Sequence, residues 1–369
     1  MTTFELVQWR LQNQQLSQPI FTEAADVVRW LGAVQAQDYA GAKWAIGQRM
    51  ATSNDALVEQ AFTDGSLLRT HVLRPTWHFV TPADIRWLLT VTAPRVHALN
   101  AYYYRQVGLD DDCFAQCKAV LINSLQGGHQ LTRAELKTAL AQAGIATEMT
   151  LRVNYIMMWA ELEGIICSGA RRGKQFTYAL LEERAPQATP MRYDEALAEL
   201  TRRYFTSHGP ATVKDLVWWS SLTMAEAKAG LELVKAELGS EVIGDQTFWF
   251  APSTVEAKQT EPRAYLLPNY DEFISYADRS AIISAEHAAL MARRENTAFS
   301  HLLVYQGHII GTWQRTVTKN KVSLTYQPFG PLAPSIQQAV VAAAQRYGTF
   351  LDCPVILPPL ATPTGMEHA

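Results

Sequence analysis

Between residues 131 and 180 the sequence leaves the backbone little freedom. Thr132-Arg133-Ala134-Glu135 is a capping box: the Thr132 hydroxyl accepts from the Glu135 amide, and the Glu135 carboxylate reaches back. Leu131 and Leu136 flank it at the spacing of a hydrophobic staple. This predicts a helix from Arg133 to about Gln142, stopped by Gly144, and a second over about Leu151–Glu163, stopped by Gly164. Leu151, Tyr155, Met158, Trp159 and Leu162 share one face of the second helix. A short apolar strand, Ile165–Ser168, a turn through Arg171-Arg172-Gly173-Lys174, and a return strand, Gln175–Leu180, follow. With a preceding helix at about Cys113–Leu125, this is the order of a winged helix with a basic wing tip.

The order recurs. Residues 194–250 predict a helix over Asp194–Ser207, a break at His208-Gly209-Pro210 and a helix after Thr212. A further helix follows the capping box Thr223–Glu226, and a hairpin turns at Gly244-Asp245 and returns through Thr247–Phe250. The N-terminal third predicts helices at Phe4–Gln12, Glu23–Val34, Ala40–Met50 and Asp55–Thr63. An extended run over Leu67–Val80 follows, and then a helix start at Thr81-Pro82-Ala83-Asp84 with proline in its first position. Residues 251–262, polar and holding Pro252 and Pro262, read as a linker. Beyond them strands are expected at Ala264–Leu267, Leu302–Gln306, His308–Trp313 and Lys321–Thr325, then a helix over Pro334–Tyr347 and a loosely ordered tail, Pro358–Ala369. The expected class is α+β: three tandem winged-helix units (1–108, 109–190 and 191–252) and a C-terminal β-barrel-like domain (263–369).

Composition narrows the function. The chain is 48% hydrophobic and 18% charged, enough for real cores. Its four cysteines include no C-x-x-C pair, so neither zinc nor a disulfide framework is expected, and solitary cysteines fit a reducing cytoplasm. The N-terminus lacks a basic region followed by an apolar run, and no window reaches the ~18 apolar residues that span a bilayer. No phosphate loop, H-E-x-x-H or nucleophile elbow is present. The expectation is a cytoplasmic monomer without cofactor or membrane partner. A net charge of −3 argues mildly against nucleic-acid binding, so phosphate contacts must come from local basic clusters.

One segment stands out between two amphipathic helices: Leu31-Gly32-Ala33-Val34-Gln35-Ala36-Gln37-Asp38. In a helix Gln35 and Gln37 would diverge by roughly 200°; in an extended segment they share a side. Gly32 before and Asp38 after favour a break, with Asp38 a natural N-cap. Two amides could then face one cavity, although polar residues at a helix end also suit caps and turns without further purpose. Arg74, Thr76 and His78 alternate along an extended run and would share one face, either toward a nucleic acid or as a solvated sheet surface.

Gly32–Asp38 and Leu67–Val80 are similar to the AlkZ and YcaQ family of winged-helix DNA glycosylases. So are Leu266–Arg279, which contains Pro268-Asn269-Tyr270-Asp271-Glu272-Phe273, and the step Gly311-Thr312-Trp313. The four pieces keep the family order over nearly the whole chain. The resemblance implies three winged helices and a C-terminal β-barrel curving around duplex DNA. It makes the Q-x-Q element, Gln35 and Gln37, catalytic. A sister subgroup carries Asp at the second position, so Gln37 places the chain nearer the crosslink-unhooking AlkZ branch. The implied partner is double-stranded DNA carrying N-alkylated purines or crosslinks through N7 of guanine.

The chemistry is coherent with two neutral amides. An N7-alkylated purine already carries positive charge and leaves readily, so a strong general acid is dispensable. Glutamine does not titrate and is no ordinary general base. Its carbonyl can hold a water against C1′ and direct a negative dipole at the oxocarbenium ion. Asp38 is the rival within the motif, as a water-activating carboxylate. Arg74, Thr76 and His78, the wing-tip Arg171, Arg172 and Lys174, and Asp271, Tyr276 and Arg279 are the expected DNA-facing residues, with an internal Asp278-Arg279 ion pair as the equal alternative. No lysine carries specific support for a lyase step, so the enzyme is expected to be monofunctional. The alternative is a non-catalytic DNA binder or regulator, because winged helices are mostly binding modules.

Overall fold

Helix-start chemistry sets most of the framework. In the computed structural model, which describes residues 1–252, 261–293, 301–319 and 321–357, Thr2, Thr132, Thr212 and Thr223 each close a capping box with the acidic residue three positions on. Each box satisfies backbone donors that a first turn leaves free. The result is a mixed α+β fold in two units. Among the described residues the first unit takes those up to 252 together with Tyr270–Asp278, and the second takes 261–269 and those from 279 on.

The first unit opens with α1 (Thr3–Asn13), α2 (Ala24–Leu31), the two-residue strand β1 (Val34–Gln35), α3 (Tyr39–Gly47) and α4 (Asp55–Asp64). The expected helix over Glu23–Val34 ends at Leu31 because Gly32 takes φ +83° and turns the chain into β1. The expected extended run Leu67–Val80 is instead a hairpin, β2 (Leu68–His71) and β3 (Trp77–Val80). Its turn places Leu73 at φ +63°, so Arg74, Thr76 and His78 do not line one strand face. These strands form an antiparallel sheet in the order β1-β3-β2. Next comes α5 (Ile85–Gln106), three residues later than the Pro82 signal suggests. The Thr81 hydroxyl donates to the Asp84 carboxylate at 2.6 Å, holding a turn there.

The middle of the chain gives α6 (Asp111–Leu125), β4 (Leu131–Thr132), α7 (Arg133–Gln142), α8 (Thr150–Leu162), β5 (Ile166–Ser168) and β6 (Thr177–Leu180), with the sheet order β4-β6-β5. Then follow α9 (Leu181–Arg184), α10 (Tyr193–Ser207), α11 (Val213–Ser220), α12 (Met224–Val234) and the hairpin β7 (Gly239–Ile243) and β8 (Gln246–Phe250). The main core of the unit gathers Trp87, Tyr204, Phe205, Trp219 and Tyr276, so the segment from Tyr270 to Asp278 is packed into it.

The second unit contains β9 (Ala264–Leu267), α13 (Ala285–Arg293), β10 (His301–Tyr305), β11 (His308–Val317), β12 (Val322–Pro328), α14 (Pro334–Leu351) and β13 (Val355–Ile356). Its sheet has the order β13-β12-β11-β10-β9 and curls into a half-barrel. The expected barrel does not close, because no pairing joins β9 to β13 among the described residues. The Gly311-to-Trp313 step is structural: a Cβ at Gly311 would lie 2.6 Å from the Gln327 carbonyl oxygen, and the buried Trp313 indole donates to the Leu267 carbonyl at 2.9 Å. The expected tail, Pro358–Ala369, and residues 253–260 of the expected linker lie outside the described residues. No helix among the described residues is long and apolar enough to cross a membrane.

Candidate active site

β1 exists because glycine ends α2 and an aspartate starts α3. At Gly32 a Cβ would sit 3.4 Å from the Trp219 ring on a positive-φ backbone, which disfavours any other residue. Val34 and Gln35 then pair with Phe79 and His78, and the Ala36 amide donates to the Trp77 carbonyl at 2.7 Å. Ala36 is fully buried, Gln35 is 9% exposed and Gln37 is exposed. Gln35 closes β1, the buried Ala36 follows, and Gln37 lies at the bend that leads into α3. Asp38 caps α3, its carboxylate accepting from the Gly41 amide at 3.1 Å.

Gln35 is held at both its backbone and its side chain. Its amide N–H donates to Glu272 Oε1 at 2.9 Å, and its side-chain Oε1 accepts from Arg74 Nη2 at 2.9 Å. The hairpin turn thus carries Arg74 onto Gln35. Glu272 is fully buried; its other oxygen accepts from the Trp219 indole at 2.8 Å and faces His208 Nε2 at 3.5 Å. Burial alone would raise its carboxyl pKa, but His208, the Gln35 amide and Arg74 outweigh burial and bring it down to about 2. A fixed negative charge therefore lies directly behind the Q-x-Q strand.

Cross-strand pairing places Gln35, His78 and Thr70 in one row on one face of the sheet. His78 Nε2, Thr70 Oγ1, Thr76 Oγ1 and Arg74 Nε are buried with no hydrogen-bond partner among the described residues. Buried polar atoms are normally paired. Thr70 and His78 are fully enclosed, whereas Arg74 and Thr76 are half-buried beside Gln35.

His78 is neutral. Burial, reinforced by Arg74, pushes its pKa down to about 3. The unfolded chain then takes up the proton first, so this contribution to stability is complete above about pH 6.5 and declines as pH falls toward 3. We expect His78→Gln to remove a pH-dependent loss on the order of a few kcal/mol between pH 7 and 4. Urea unfolding of the two proteins across that range measures it, and parallel curves would refute it.

The other expected DNA-facing residues divide sharply. Asp271 is fully buried in a two-pronged ion pair with the fully buried Arg49, at 2.7 and 3.0 Å. Tyr276, fully buried, donates to the His208 carbonyl at 2.8 Å and lies under the Arg10 guanidinium. Both support the first unit's core and neither reaches a surface, and His78 is likewise enclosed and uncharged. Arg171 packs over Tyr39 and pairs with Glu59 at 3.4 Å; Arg172 is exposed and bonds Glu135 at 2.7 Å. The Arg172 pair is exposed and therefore weak, whereas the Arg171 pair is half-buried. Lys174 is exposed, and Arg279 is exposed in the second unit.

Sequence reasoning missed Glu272 and His208. Glu272 lies inside the Asp271-Glu272-Phe273-Ile274 segment, where a carboxylate among aromatic and aliphatic residues was the available signal.

The structure superposes on the DNA glycosylase AlkZ of Streptomyces sahachiroi with a TM-score of 0.79, covering 97% of this chain and all of that one at 22% identity. An interstrand DNA cross-link repair glycosylase from Streptomyces sahachiroi is 26% identical over 325 residues, 83% of this chain and 86% of that protein. The family model described as DNA glycosylase AlkZ-like matches residues 28–350, a span that contains β1, the Arg74 hairpin and Glu272. The chain therefore belongs to the AlkZ-like family of DNA glycosylases.

Proposed function

We propose that this DNA glycosylase hydrolyses the N-glycosidic bond of alkylated purines in duplex DNA, unhooks crosslinks through N7 of guanine, and leaves an abasic site. The relative named as an interstrand cross-link repair glycosylase supports the substrate class. The observation that carries the chemistry is Gln35: a neutral amide gripped by Arg74 and anchored on buried Glu272, two residues from an exposed second amide. Arg74 occupies one lone pair of the Gln35 carbonyl, and a carbonyl has two. The second lone pair accepts from the attacking water, while Gln37 holds that water from the open side. The Glu272 carboxylate adds negative potential where the sugar develops positive charge, in a region screened less than the surface.

We also read the order of α6, β4, α7, α8, β5 and β6 as a winged helix, and its neighbours on either side as two further such units. This remains part of the proposal, with Lys174, Arg171 and Arg172 as phosphate contacts at the wing. The testing experiment is incubation with duplex carrying N7-methylguanine, followed by chromatography of free base and heat cleavage at abasic sites. Free base with intact strands before heating is the expected result. Sequence-selective binding without base release would favour the regulator reading instead.

A further inference from the structure

A recess lies on the face of the β1-β3-β2 sheet opposite Gln35. It measures about 540 Å³, within the roughly 300–1,000 Å³ of small-molecule sites. It is bounded by Trp77, the first turn of α7, the start of α8 and the strand approaching β6. Four cations line it: Arg69, Arg133, Lys137 and Lys174, and no carboxylate does. Trp77, Phe176 and Tyr178 supply aromatic walls.

Arg69 is the informative member. It is 8% exposed, and its guanidinium sits between the Trp77 and Phe176 rings at 4.3 and 4.5 Å. Its Nε donates to the Ala36 carbonyl at 3.1 Å, in the middle of the Q-x-Q element, while no hydrogen bond from either Nη is found among the described residues. The stacked rings and the Ala36 carbonyl fix the guanidinium plane, leaving its Nη end to face the cleft. The pairing of His71 with Trp77 and of Arg69 with Phe79 sets these residues on the face opposite Gln35, His78 and Thr70.

We propose that this cleft seats one nucleotide of the DNA outside the base stack, other than the nucleotide that is cleaved. Its base lies against the Trp77–Arg69–Phe176 layer and its phosphate meets Lys137 and Lys174. Aromatic and guanidinium planes accept any base by stacking, and flanking lysines track the backbone; this pairing of features characterises single-strand binding sites. Through Arg69 the seat is mechanically joined to the strand that carries the two glutamines. The proposal rests on the reading of the chain as an enzyme acting on DNA, and it is tested without base release.

The full-length protein is titrated with a 5′-phosphorylated tetranucleotide containing 2-aminopurine, and with a tetranucleotide of equal charge whose bases are all removed, read by fluorescence polarisation of a 3′ dye. Base-containing DNA is expected to bind about tenfold more tightly than the baseless strand. Reversing both exposed lysines, Lys137→Glu with Lys174→Glu, is expected to weaken it at least about tenfold. Equal affinity for the two strands, or undiminished binding by the lysine variant, overturns the nucleotide seat. Absent base release from alkylated duplex overturns the proposed hydrolysis and leaves the seat standing.

Discussion

Gln35→Ala is expected to lower single-turnover release of N7-methylguanine from duplex DNA by about 10²–10³-fold, the range for losing one positioned polar group at a reacting centre. Duplex affinity should stay within about twofold, because among the described residues the Gln35 side chain bonds only Arg74. The backbone bond to Glu272 survives, since alanine keeps the amide N–H. Gln37→Ala should show a loss of similar kind. Asp38→Asn should not, because asparagine caps a helix as well as aspartate and the Asp38 carboxylate is engaged with the Gly41 amide. A rate loss on Asp38→Asn matching that of Gln35→Ala would transfer the water-activating role to the carboxylate and sink the two-amide mechanism.

Asp271→Ala is expected to destabilise the folded chain by about 3–5 kcal/mol, read by urea denaturation. Arg49 is fully buried and bonds Asp271 through both Nη atoms, with its three remaining donors on the Gln14 carbonyl, the Ala45 carbonyl and the Gln14 side-chain oxygen. Removing the carboxylate strands a guanidinium in the core, which costs more than the pair itself contributes. Replacing both partners, Arg49→Met with Asp271→Leu, should recover much of that loss. A single-variant loss below about 1 kcal/mol would show that solvent reaches Arg49.

The most local signals were the most legible. The boxes at Thr132 and Thr223 announced their helices because both partners lie within four residues. The Gln35-Ala36-Gln37 break was readable from Gly32 and Asp38, although the strand it forms has only two residues and no periodicity of its own. The hairpin at Arg74 was not readable. Its turn holds Leu73 at positive φ without a glycine, while the flanking residues alternate as one strand would. The site's charge network was hidden for another reason. Glu272, His208 and Trp219 lie far from Gln35 in the chain and meet only through packing. Asp271 and Tyr276 look like surface chemistry in the sequence, and only their enclosure reveals them as supports.

The nine residues Tyr270–Asp278 belong to the unit formed mainly by the first 250 residues, yet on both sides they are flanked by chain of the other unit. A fragment ending at Phe250 would keep both glutamines and lose the anion behind them as well as the counter-ion of Arg49. On the proposed mechanism, no minimal catalytic piece can be cut from the front of this polypeptide. Gene truncations that look conservative on paper should yield inert protein, and adding a synthetic peptide spanning 268–279 back to such a fragment is the rescue most worth attempting.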